Sequence, residues 1–89
     1  MIAQRIATIK NKLGLHARPA ALLVRTASKF QSDIKLVKDG QEVNGKSIMG
    51  VMMLAAEMGS KITIYAEGKD AQHAVDALLE LFDNKFEED

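Results

Sequence analysis

The stretch "LGLHARPAALL", residues 13–23, sets His16 between Gly14 and Pro19, with Arg18 two residues on and an apolar run behind it. Gly14 admits a tight turn, and Pro19 brings the fixed φ of a first helical turn while offering no amide of its own. His16 then falls at the N-cap of a helix. The amides of Ala17, Arg18 and Ala20 are expected to be unpaired donors at the positive end of the helix dipole, an arrangement that attracts phosphate. Arg18 adds a cationic fork. An imidazole in that setting can be a nucleophile toward phosphorus, holding a phosphoryl group on one ring nitrogen and surrendering it later. The added charge, roughly −1.5 to −2 by analogy with other phospho-residues, is offset by the amides and the guanidinium. A histidine without such neighbours is more often a surface or packing residue.

Nothing else in the chain supports a self-contained enzyme. There is no cysteine, which removes disulfides, thiol nucleophiles and thiolate metal sites. No Ser/His/Asp set, P-loop lysine motif or dinucleotide glycine fingerprint occurs, and neither a metal nor a cofactor is expected. The histidine needs other proteins as donor and acceptor. Net charge is zero and only 4% of residues are aromatic, against a nucleic-acid partner. A metal chaperone of similar topology would need a cysteine pair. The apolar run Ile48 to Ala56 is too short to span a bilayer, and no signal-type region follows Met1, so a cytoplasmic protein without membrane insertion is expected.

Charge is nevertheless uneven along the chain. Residues 1–38 hold eight Lys or Arg against one acid, and residues 39–89 hold four against eleven acids. Either the basic half meets an anionic ligand or acidic partner, or the fold interleaves the halves and mixes their charges.

The elements that must carry His16 follow from hydrophobic period. "KITIYAE", residues 61–67, alternates as a strand with one wet face. Residues 33–44 read as two strands around Asp39-Gly40, a dipeptide suited to a type I′ turn, and residues 2–9 as a further strand. Between Ala17 and Ser28 the spacing of Ala20, Leu23, Val24 and Ala27 predicts an amphipathic helix. Ser47 to Met58 reads as a second helix, capped by Ser47 and stopped at Gly59. Asp70 is expected to cap a third, carrying Ala71, Ala74, Val75, Leu78, Leu79 and Phe82 inward, before a frayed acidic tail of Glu87, Glu88 and Asp89. His73 reads as a surface residue. The 89 residues therefore suggest one α/β (α+β) domain over 1–89, an open-faced β-sandwich of order βαββαβα. Three helices cover one face of a four-stranded antiparallel sheet.

"LGLHARPAALL" closely resembles the active-site stretch of the HPr family, the histidine-containing phosphocarriers of the bacterial phosphoenolpyruvate:sugar phosphotransferase system. "NGKSIMGVMML", residues 44–54, is similar to that family's regulatory serine and docking helix, and the element order and length agree over essentially the whole chain. The resemblance implies that His16 takes phosphate on Nδ1 from enzyme I, with Arg18 and the amide of Ala17 around it. It further implies delivery to IIA domains of sugar permeases. Ser47 matches the serine modified by HPr kinase/phosphorylase in many bacteria, which slows phosphorylation of the histidine and in some recruits a catabolite repressor. As a plain N-cap, Ser47 would be worth roughly 1 kcal/mol. Partner docking is expected on Leu15, Ala20, Arg25, Ile48, Met49 and Met52, the methionines forming an adaptable apolar surface. A monomer is expected, since it must fit several partners in turn. Met53 and Ala55 depart from the family, which has a small polar residue and a glycine there. The alternative reading is a purely regulatory module acting through Ser47.

Overall fold

In the computed structural model, which describes residues 1–88, the chain runs β1 (Ile2–Thr8), α1 (Ala17–Ala27), β2 (Asp33–Lys38), β3 (Gln41–Asn44), α2 (Ile48–Met53), β4 (Lys61–Glu67) and α3 (Ala71–Asp83). A one-turn segment, Lys85–Glu87, follows. Asp89, the end of the expected acidic tail, lies outside the described residues. The sheet is antiparallel in the order β1-β4-β2-β3, which sets the first and second strands of the chain on either side of the fourth. Asp39 and Gly40 both take positive φ, 50° and 81°, as a tight primed turn between β2 and β3 requires.

Alternation puts Ala3 and Ala7 of β1, Ile34 and Leu36 of β2, and Ile62, Ile64 and Ala66 of β4 on one buried face. Against them lie Leu23 of α1, Val51 of α2 and Val75, Leu78 and Phe82 of α3. Each large side chain so buried contributes about 1.5–3 kcal/mol. The opposite face is open to solvent, and there the ammonium of Lys35 lies 5.8 Å from the centre of the Tyr65 ring. His73 is exposed, as expected.

Three expectations about elements need correction. The second helix ends at Met53 and not at Met58, because Ala55 turns into the left-handed region at φ 48° and the carbonyl of Ala56 pairs with the amide of Leu15, 2.9 Å away. Tertiary pairing there replaces continued helix. Asp70 stands at the N-cap of α3 but makes no capping hydrogen bond with its side chain. Its carboxylate instead accepts from the backbone amides of Gln31, at 2.9 Å, and Ser32, at 3.0 Å, and from the Ser32 hydroxyl. Glu87 and Glu88 do not form a frayed tail. Phe86 is buried, edge-to-face on Phe82 with ring centres 4.9 Å apart, and Glu88 folds back to the start of α1.

Candidate phosphoryl site at the start of helix α1

The loop before α1 is held from two sides. Gly14 has φ +70°, and a Cβ there would stand 2.2 Å from the carbonyl oxygen of Ala56, so only glycine fits. The Leu15 amide then docks on that same carbonyl, and the amide of Gly14 donates to the Asn11 carbonyl at 3.2 Å. His16 is thereby delivered to the N-cap of α1 in extended backbone geometry, φ −74° and ψ −173°, with its ring half-exposed.

Among the described residues the amides of Ala17 and Arg18 have no partner, and Pro19 has no amide to satisfy. Ala20 differs from expectation: its amide donates to the His16 carbonyl at 3.0 Å, because an N-cap carbonyl already accepts the first intrahelical bond. Two donors remain where three were expected.

The surprise is the occupant. The Glu88 carboxylate reaches the His16 Nε2 at 3.0 Å and the Arg18 guanidinium at 3.4 Å. It also accepts from the Asn11 Nδ2 at 3.0 Å, and the same Nδ2 donates to the Gly14 carbonyl at 2.8 Å. Asn11 is fully buried and its Oδ1 has no partner among the described residues. Burial would raise the Glu88 carboxyl, but hydrogen bonds from Asn11 and His16, the charge of His16 and the Arg18 contact outweigh it. The group is held below the ordinary glutamate value. No acid lies in the first turn of α1, so the negative charge near its N-terminus comes from the far end of the chain.

His16, Arg18 and the Ala17 amide are thus gathered at one helix end, while Ser47 caps α2, its Oγ accepting from the Gly50 amide at 3.0 Å. Ile48, Met49 and Met52 are 44%, 76% and 42% exposed on α2, and Arg25 is exposed on α1. Leu15 and Ala20 cannot serve as docking contacts through their side chains: both are in the core, 4% and 0% exposed. Met53, at 65%, adds apolar surface that had not been assigned to docking. Asn11 and Glu88 were missed. Asn11 had a local signal, an asparagine three residues before a turn glycine, whereas no sequence pattern links Glu88 to a histidine seventy-two positions away. Among the described residues no cluster of His, Asp or Glu could hold a metal, and no helix is long and apolar enough to cross a membrane.

A half-exposed imidazole and a guanidinium on one carboxylate, beside free amides at a helix N-terminus on an open-faced βαββαβα sandwich, are the features of a small histidine phosphocarrier. Residues 3–84 match the family model described as PTS HPr component phosphorylation site, and the chain belongs to this HPr family of phosphotransferase-system phosphocarriers. It is 57% identical over 82 residues to the phosphocarrier protein HPr of Xylella fastidiosa, covering 92% of each chain. The HPr-like protein Crh of Bacillus subtilis is 49% identical over 78 residues, covering 88% of this chain and 91% of that protein. A crystal structure of HPr from Thermoanaerobacter tengcongensis superposes with a TM-score of 0.94 at 50% identity, over 98% of both chains.

Proposed function

We propose that His16 is the phosphoryl acceptor, taking the group from enzyme I, itself charged by phosphoenolpyruvate, and passing it to IIA domains of sugar permeases. What supports this reading is that the His16 ring and the Arg18 guanidinium already hold one carboxylate, while the Ala17 and Arg18 amides at the same helix end have no partner among the described residues. Nε2 is engaged by Glu88, and Nδ1 has no hydrogen-bond partner among the described residues, so its lone pair is the one free to attack phosphorus. As the N–P bond forms, the donor's bond to phosphorus breaks and its electron pair leaves with the donor. The Nε2 proton stays on the ring, and the same step run in reverse hands the group to the acceptor.

Arg18 and the amides offset the charge of the phosphoryl group. Arg25, Ile48, Met49 and Met52 form the docking surface, and the protein works as a cytoplasmic monomer. In a mixture of enzyme I, phosphoenolpyruvate and an IIA domain, label reaches IIA with the wild-type chain and fails to with His16→Ala; transfer by the variant would remove His16 from the reaction.

Ser47 is the regulatory position in this reading. A phosphate there stays favourable for the N-terminus of α2 while placing charge beside the exposed Ile48 and Met49, so docking changes without unfolding. HPr kinase with ATP is expected to add one acid-stable phosphate that Ser47→Ala abolishes, and an unmodified wild-type chain would rule the site out.

A further inference from the structure

Resting on His16 as acceptor, we propose that the C-terminal turn is an internal competitor for the anion site, with the Glu88 carboxylate occupying part of the cradle until a phosphate displaces it. Glu88 contacts the Arg18 guanidinium that would meet a phosphoryl oxygen, the Nε2 side of the His16 ring and, through Asn11, the loop in front of the helix. It leaves Nδ1 open but commits the arginine, and it sets a negative charge where a negative group must arrive. Together with Glu87 it lines a groove whose other walls are Lys12, Leu13 and Arg18, so the two acids close a basic recess.

The turn is also poised to open. Lys85, Phe86 and Glu87 take φ values of 55°, 52° and 61°, three successive non-glycine residues in the left-handed region. Single residues visit that region at a cost, and a run of them persists only where surrounding contacts hold it. The holding contacts here are Phe86 in the core against Phe82 and the Glu88 carboxylate in the site. When the carboxylate is displaced, one of the two is lost and the strain favours release. Glu88 makes and breaks no covalent bond in this role.

The test is a titration of the unphosphorylated protein with inorganic phosphate, read by the amide resonances of Ala17 and Arg18, for wild type and Glu88→Gln. Glutamine keeps the size and the hydrogen-bonding oxygen but removes the charge. Glu88→Gln is expected to bind phosphate about three- to fivefold more tightly, the scale of losing one partly exposed competing ion pair. It should also accept a phosphoryl group from enzyme I faster by a similar factor. Equal or weaker phosphate binding overturns the proposal; weaker binding would mean that the carboxylate assists the site by holding the Nε2 proton. Phe86→Ala, which frees the turn from the other end, is expected to act in the same direction. The phosphate titration reads the competitor alone, whereas failure of both proteins to be charged by enzyme I would count against the carrier reading and not against the competition.

Discussion

What an imidazole can do at a helix N-cap depends on the charges within its reach, and for His16 these are Arg18, two free amides and Glu88. The Arg18 side chain is 68% exposed and its guanidinium is 3.4 Å from Glu88, so that surface pair contributes little to stability and would cost little to exchange for a phosphoryl oxygen. In the proposed phosphorylated protein the same group would make a charge-assisted hydrogen bond worth about 1.5–3 kcal/mol. Arg18→Ala is therefore expected to slow phosphoryl acceptance about ten- to a hundredfold with the fold unchanged. Rapid-quench kinetics would check it, and a wild-type rate would mean that the backbone amides alone carry the charge. His16, Arg18 and the Ala17 amide were legible in the sequence because a cap, a proline and a helix dipole are local features. Ala20 was misjudged on both counts: its amide closes the first helical bond, and its methyl packs inside. Glu88 was illegible because its place is fixed by where Phe86 finds the core.

The helices and strands were readable from period and punctuation, and their ends were not. α2 stops early because the segment after it must carry the Ala56 carbonyl to Leu15 and leave room for Gly14. That stop uses Ala55 at φ 48°, where an L side chain costs about 1 kcal/mol and where the family resemblance leads one to expect glycine. Ala55 is exposed and its methyl fills no packing site, so Ala55→Gly is expected to stabilise the protein by about 1 kcal/mol in urea unfolding. A loss of stability would contradict this account of the turn. Asp70 ties the loop after α1 to the start of α3. The Ser32 hydroxyl first, then the Gln31 and Ser32 amides, lower its carboxyl from 3.8 to about 2, against the opposing effect of burial. A depressed carboxylate contributes stability that is present above its unfolded value and lost as pH falls through the folded one. Thermal unfolding of the wild type should therefore weaken from just below pH 4 toward about 2, and Asp70→Asn should flatten that part of the profile. An unchanged profile would show that the three hydrogen bonds do not discriminate the charged form.

Across the whole molecule, the uneven charge of the chain is resolved by topology. Every ion pair among the described residues joins a basic group from the first 38 residues to an acid from the rest, including Lys10–Asp83, Lys35–Glu42 and both contacts of Glu88. The fold interleaves the two halves, and the same packing builds the site: α3 lies against β1 and α1, and the segment after it reaches His16. The result is a small body with His16 at a helix end, Arg25 on the same helix and the exposed Met49 and Met52 on the neighbouring one. The direct test is intact mass after incubation with enzyme I and phosphoenolpyruvate, wild type beside His16→Ala. One phosphoryl group, lost in mild acid and absent from the variant, is the expected result. A gain that survives in His16→Ala, or no gain from an enzyme I that charges another HPr, would contradict it.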